Sequence, residues 1–478
     1  MKYFILSILI ILNIQLYSQP TFIYNHSTQS DDYVLDVLED ENGNYYLAGY
    51  RGNPESDYYK GLLIKIGQDG SFISEREFTI PNKAYMIYNI TQDSTGSLIM
   101  IGTYSDTINQ YTSGELSLRR LNYDLTTLDS ALYYISDTRS LSLIFSDICT
   151  NNDILINSTS WNATTNPHAL LFGMRLNENF DSIFAVTYPF PSVGNGIKQL
   201  TDTTYWMYGG IFNRVVITDT LFNQLEISKL PKSVVAPIGL KWDSDSSFYF
   251  CGQWLNNQDH DIGLLKQFDP IDTTEYIFKN WGTIDTIDLP ASLGGALDYV
   301  NKDSIYIGGT TGYAMTWGYK SYYFLIQTDS LLNVRWERFY GGDAYYEMND
   351  VLASKDGGCL LSGMRYDADA GIHEHDIYVI KVDGNGLLVG VEDELNHIDP
   401  YEAIVYPNPG ISEISIRIAA QYKESKFELF DFGGNLVISK NILSNNHVIN
   451  TYNLKAGSYI YSITNNKGLN ETGVWIKQ

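Results

Sequence analysis

The stretch DVLASKDGGCLLSG, Asp350–Gly363, is followed after a variable run by HDIYVIKVDGNG, His375–Gly386. Asp356-Gly357 is a turn pair between two short apolar strands, and Asp383-Gly384 ends a third. Asp36–Gly70 repeats the pattern as DVLEDENGNYYLAG and GLLIKIGQDG. Self-similarity at a fixed spacing decides the architecture before any single strand does.

Gly49 in YYLAG has counterparts at Gly102, Ser158, Gly209, Gly252, Gly309 and Gly363, with gaps of 53, 56, 51, 43, 57 and 54 residues. A polar turn precedes each anchor, as in ENGN, DSTG and KDGG. After each anchor come a loop, a third strand ending in Asp, Gly or Asn, and in several units a fourth strand such as SFISEREFTI. Four short strands per unit of about 52 residues read as one propeller blade, near the length of the kelch type. The expected fold is all-β: a seven-bladed β-propeller followed by a small C-terminal β-sandwich. Phe22–Tyr24 aligns with the fourth strand that precedes unit seven, so it is expected to complete the last blade by pairing near Ile377–Val382. That pairing removes an open sheet edge.

The 478 residues carry a net charge of −25, from 31 basic and 56 acidic side chains. A nucleic-acid partner needs the opposite footprint, as does docking on an anionic membrane by charge. Three cysteines are too few and scattered for a disulfide framework; Cys251 and Cys359 lie in strand patterns as small hydrophobes. At the N-terminus, Lys2 and the apolar run YFILSILIILNIQLYS read as a signal peptide over residues 1–18, with cleavage after Ser18 or Gln19. The apolar core is short for a membrane span, so the mature chain is expected to have none. Residues 19–391 are assigned to the propeller, 392–402 to a polar linker and 403–478 to the sandwich.

That last segment alternates strands with Asn-Pro, Gly-Gly and Ala-Gly turns. Tyr406, Pro407, Asn408 and Pro409 form YPNP, and Glu428–Val437 reads ELFDFGGNLV. LKAGSYIYSI contains Gly457 and Tyr459, and the chain ends VWIKQ. In order and spacing these resemble the type A sorting domain of type IX secretion cargo of Bacteroidetes. The resemblance covers residues 403–478 and implies passage through the periplasm to the outer surface or medium, with the secretion machinery as a partner.

Chemistry is less legible. His373 and His375 in HEHD invite a metal reading, but DHDIGLLK at Asp259–Lys266 is the repeat equivalent of EHDIYVIK, which favours a role at the start of a strand. The turns at Asp40–Asn44 and Lys381–Gly386 lack the complete twelve-residue calcium pattern, and hairpins need the same residues. No cofactor is assigned. The GxSxG, HExxH and GxxxxGK[ST] motifs are absent. Catalytic residues cannot be named, although acids from separate blade loops could serve a glycosidase.

An aromatic follows each anchor: Tyr50, Tyr104, Trp161, Phe212, Trp254, Tyr313 and Tyr366. The loops add Tyr58, Tyr59 and Trp317. They sit beside the strand two–three loops, where function is commonly grafted on a rigid scaffold. They serve either inter-blade packing or contact with a sugar or protein. Trp161, Trp254, Trp317, Tyr104 and Tyr366 are the candidate ligand-binding set. The expectation is a monomeric, noncatalytic module binding an extracellular glycan or protein; the alternative is a carbohydrate- or peptide-cleaving enzyme on the same face.

Overall fold

The computed structural model describes residues 19–388 and 403–477, apart from short stretches at 53–57, 106–113, 137–138, 163, 211–212, 232–234, 245, 257–258, 283–286, 293–294, 314–318, 371–373, 407–409, 411, 419–423, 432, 444–445 and 466–469. The expected signal peptide and linker lie outside the described residues. So do His373, Trp317, Phe212, Pro407, Asn408 and Pro409.

Strand β1 is Phe22–His26. Blade 1 is β2 (Asp32–Glu39), β3 (Tyr45–Arg51), β4 (Lys60–Ile66) and β5 (Phe72–Phe78); blade 2 is β6 (Ala84–Gln92), β7 (Leu98–Ser105), β8 (Gly114–Leu121) and β9 (Thr127–Ser136). Blade 3 is β10 (Ser140–Ile148), β11 (Ile154–Trp161), β12 (Ala169–Leu176) and β13 (Ser182–Pro191). Blade 4 is β14 (Gly194–Thr201), β15 (Thr204–Gly209), β16 (Arg214–Asp219) and β17 (Gln224–Lys229). Blade 5 is β18 (Val235–Trp242), β19 (Phe248–Asn256), β20 (Asp259–Gln267) and β21 (Tyr276–Trp281). Blade 6 splits its inner strand into β22 (Leu289–Pro290) and β23 (Leu297–Asp298), ahead of β24 (Ile305–Thr311), β25 (Tyr322–Thr328) and β26 (Val334–Gly341). The last sheet joins β27 (Tyr345–Ala353), β28 (Cys359–Tyr366) and β29 (Asp376–Val382) to β1.

The inner strands touch in a closed ring: β2 with β6, then β10, β14, β18, β23, β27 and back to β2. In β1, Phe22 pairs with Lys381 and Tyr24 with Val379, antiparallel. The second and third strands of a blade are buried along nearly their whole length because neighbouring blades cover both faces, as in YYLAGYR of β3. The outer strands alternate exposed and covered positions, as in β5 and β9.

The repeated glycine has a steric cause. A Cβ at Gly49 would overlap the carbonyl oxygen of Tyr33; Gly102 meets Met86, Gly309 meets Leu289 and Gly363 meets Glu347 in the same way. A bulge in the inner strand, at Val34/Asp36, Ile87/Asn89 and Met348/Asp350, accompanies this close approach in blades 1, 2 and 7. Blade 3 has Ser158 instead, and its hydroxyl donates to Ser142 O at 2.9 Å.

Inner-strand side chains bind neighbouring blades together at five of the seven seams. Ala353 N donates to Asp298 (2.9 Å), Val37 N to Asp350 (2.8 Å), Ile90 N to Asp36 (2.7 Å) and Gln199 N to Asp147 (3.0 Å). Ser146 Oγ donates to Asn89. Asp36 and Asp350, which begin the two copies of the repeated motif, thus act as clasps around the axis.

Turn chemistry accounts for the abundant Asp and Asn. Asp219 accepts from the amides of Leu221 and Asn223, and Asp329 from those of Leu331 and Asn333. The fourth residue of such a turn takes positive φ, as at Gly43 and Gly386. Four of these turns place a large apolar residue there: Leu125, Phe180, Phe222 and Leu332, each at most 3% exposed. Phe222 at φ 58° plugs the core beneath blades 3 and 4 against Phe184 and Tyr205. For Phe222→Gly, relief of left-handed strain returns about 1–2 kcal/mol, and lost burial costs about 3–5 kcal/mol. Burial wins, so urea unfolding should show a net loss of about 2–3 kcal/mol.

At the C-terminus, β30 (Ala403–Tyr406), β31 (Glu413–Ile418) and β34 (Asn446–Asn450) form one sheet. The second, in the order β33 (Leu436–Ile442), β32 (Ser425–Asp431), β35 (Gly457–Thr464) and β36 (Asn470–Lys477), packs its own core of Ile414, Ile416, Phe427, Leu429, Ile463 and Trp475 against it. No helix among the described residues is long and apolar enough to cross a membrane.

Candidate ligand-binding face

The strand two–three connections and the links between blades emerge on one face of the ring. Five rings there form a ladder across the seam between blades 7 and 1. Tyr366, at the end of β28, stacks on His375 with centroids 5.0 Å apart. His375 lies 5.4 Å from Tyr33, Tyr33 stacks on Tyr50 at 4.7 Å, and Tyr50 meets Tyr59 at 5.0 Å. Tyr33 enters β2, Tyr50 closes β3, and Tyr59 precedes β4, so three consecutive strand ends of one blade align their rings. All four tyrosines are half-buried.

One carboxylate fixes the ladder and a second lies beside it. His375 is 2% exposed; its Nδ1 lies 2.8 Å from Asp31 Oδ1, and its backbone N–H donates to the same oxygen at 2.9 Å. The hydrogen bonds from His375 hold the Asp31 carboxyl below its usual range. Glu347 accepts from Tyr345 Oη at 3.1 Å, and burial raises its carboxyl above the ordinary value. Burial likewise raises the phenols of Tyr33, Tyr50 and Tyr59, which therefore stay protonated donors at neutral pH. The rings between the two ends spend their faces on one another. What they offer a ligand is edges and hydroxyl groups beside acids, rather than open faces for stacking.

The sequence candidates fall into two groups. Tyr366 and His375 come together with Tyr50 and Tyr59. Trp161 lies in blade 3, half-buried, 6.0 Å from His168 in an arrangement parallel to Tyr366 and His375. Trp254 lies in blade 5, half-buried against Phe278 at 4.9 Å. Tyr104 needs correction as a ligand contact: it is 1% exposed, stacks on Tyr85 at 3.9 Å and accepts from Arg119 Nη2 at 3.2 Å. Tyr33, Asp31 and Glu347 were not singled out. Their signal was alignment: YVLD and EMND place Tyr33 and Glu347 each three residues before a clasp aspartate. No group of three or more His, Cys, Asp or Glu suited to a metal occurs among the described residues. In the sandwich, Tyr459 is buried and packs 6.0 Å from Trp475, its hydroxyl donating to Lys455 O at 2.8 Å. Gly457 takes φ 154°, and Tyr406 pairs with Ser415.

Residues 404–478 match the family model described as a secretion system C-terminal sorting domain. The tail is therefore a type IX sorting domain, which directs the chain to the cell surface or the extracellular space. No curated protein matches the chain. Among solved structures, virginiamycin B lyase from Staphylococcus aureus is similar at 10% identity and TM-score 0.43, covering 76% of this chain and 99% of that one. PorZ, a surface component of the type IX secretion system of Porphyromonas gingivalis, is similar at 10% identity and TM-score 0.35, covering 93% and 75%. The WD40 propeller domain of Doa1 is similar at 10% identity and TM-score 0.44, covering 75% and 97%.

Proposed function

We infer that the propeller is a noncatalytic binding module for an extracellular glycan or protein, held at the outer surface or released after export through the periplasm. The observation that carries this reading is the Tyr366–His375–Tyr33–Tyr50–Tyr59 ladder on the loop face, rigidly braced and flanked by Asp31 and Glu347. Preordered tyrosines supply amphipathic area at small entropic cost. A chain of charge −25 repels acidic polymers, so a neutral glycan or a basic protein patch suits it better. In this reading the protein acts as a monomer and no cofactor is assigned, calcium at one of the Asp/Gly turns being the alternative.

The test is binding of the full chain to arrayed glycans and cell-envelope extracts. A Tyr50→Ala/Tyr366→Ala variant should bind at least tenfold more weakly while its thermal transition is kept. A Trp161→Ala/Trp254→Ala variant measures the contribution of blades 3 and 5. Equal binding by wild type and the tyrosine variant removes the ladder from the reading.

A second reading rests on the carboxylate-oriented histidine. The Asp31–His375 pair has the geometry by which an acid orients a general base. Product release from a bound glycan or peptide, abolished by His375→Gln, would move the protein into the enzyme class.

A further inference from the structure

The sorting domain shows a single apolar row on the outward face of its four-stranded sheet. Register places Phe430 opposite Leu436 on β33 and opposite Ile460 on β35, and Ile460 opposite Val474 on β36. One side chain from every strand thus lies on one line across the sheet. Leu436 is 51% exposed, Val474 49% and Ile460 40%; Phe430 is half-buried. Ile476, opposite Ser458, extends the row at one corner. The next row is polar throughout: Ser439, Glu428, Ser462 and Thr472. Inward positions of the same strands hold Phe427, Leu429, Tyr459, Ile463 and Trp475, so the domain already has a core without the row.

The row is placed where burial does not need it. Strand positions that face water normally carry polar residues, as the adjacent row does. Its exposed apolar surface is on the order of 350 Å², in the range where a patch is commonly functional. Two copies joined through it would bury roughly 700 Å² in total, well short of the roughly 1,200–2,000 Å² of a stable complex. A second copy of the chain is therefore the wrong occupant. A contact of this size suits a partner that binds briefly and lets go, which is what handling of a cargo requires. Residues 403–478 carry seven Lys or Arg and five Asp or Glu, so the domain is nearly neutral in a chain of −25, and apolar contact rather than charge is left to do the recognising.

We propose that the Leu436–Phe430–Ile460–Val474 row is the surface through which the sorting domain docks on an apolar surface of the type IX secretion machinery. It rests on the sorting-domain match and not on the ligand-binding reading of the propeller.

The experiment follows the full chain in a type IX-proficient host, with surface plus medium measured against periplasm. Leu436→Thr/Ile460→Thr/Val474→Thr keeps strand propensity and removes the row. Delivery should fall at least tenfold, with the chain retained in the periplasm and the calorimetric transition of the tail preserved in the purified protein. Leu436→Ile/Ile460→Val/Val474→Ile keeps the row apolar and should export normally. If the triple threonine variant loses the tail's transition, Ile460→Lys alone decides in the same assay, since that side chain is outside the core. Undiminished delivery of a folded row variant overturns the proposal. Self-association abolished by the threonine variant, with export unchanged, would make the row a contact between copies and overturn it equally.

Discussion

Arg51→Ala should cost about 3–5 kcal/mol in urea unfolding at pH 7, the range for stranding a buried charge. Arg51 sits at the seam where the ring closes. Its Nε donates to Asp32 Oδ1 at 2.9 Å and its Nη2 to Asp32 Oδ2 at 3.2 Å; Nη1 reaches Glu77 at 2.9 Å and Glu75 at 3.1 Å. Nη2 also meets His26 Nε2, on the closing strand β1, at 2.7 Å. The Asp32 side chain is fully buried, so removing the guanidinium leaves a carboxylate that water cannot reach. A surface pair of similar length would contribute about 0–1 kcal/mol. Burial of Asp32 already raises its carboxyl above the ordinary range, and without Arg51 it rises further. The deficit of the variant should therefore shrink as pH falls toward 5 and Asp32 takes a proton. Arg51→Lys keeps the charge but cannot fork, and should recover less than half of the loss. A cost below about 1 kcal/mol for the alanine variant would class the network with surface ion pairs.

The seam also shows what was legible in the sequence. The alignment of Phe22–Tyr24 with the fourth strand before unit seven and the repeated glycine were readable, because blade sheets impose a fixed spacing on turns and small residues. The reason for the glycine was not: it depends on Tyr33 O and its counterparts approaching through a bulge, and bulges leave no mark in composition. The aromatic residues were visible, but their directions were decided by parity. Tyr50 lies one residue after its anchor and Tyr366 three after, so both point to the ladder side. Tyr104 and Trp254 lie two after theirs, and both turn sideways onto Tyr85 and Phe278. A strand alternates with period two, so counting the offset would have separated them. Asp31 could not be picked from 56 acids, since only the closed ring brings His375 to it. Asp36 and Asp350 were read as the first letters of a repeat, whereas their work is done between repeats.

Those two aspartates give the propeller an unusual response to pH. The amide of Val37 donates to Asp350 Oδ2 at 2.8 Å and to Asp36 Oδ1 at 3.0 Å, so two carboxyls, Asp350 buried and Asp36 half-buried, converge on one N–H. Burial pushes Asp36 up to about 7. Asp350 is raised well above its usual range by burial first, and then by the charges of Asp36 and Asp298. Both folded values lie above the unfolded value of about 3.9, so the folded chain holds more protons than the unfolded one between those limits. The slope of stability against pH from this pair is therefore negative. It is absent below about pH 4, where both states are protonated, and the penalty is complete once pH passes the folded values. Asp350→Asn keeps a carbonyl oxygen for the Val37 amide and removes one of the two like charges. Its stability relative to wild type should rise by about 2–3 kcal/mol between pH 5 and pH 8 in urea unfolding. His26, whose ring burial holds below its ordinary value, acts with the opposite sign below about pH 6.5. It acts equally in both proteins and cancels in the difference. Parallel pH profiles for the two proteins, or an asparagine variant that weakens as pH rises, would show that the carboxyls meet as hydrogen-bond acceptors only and carry no shared charge penalty.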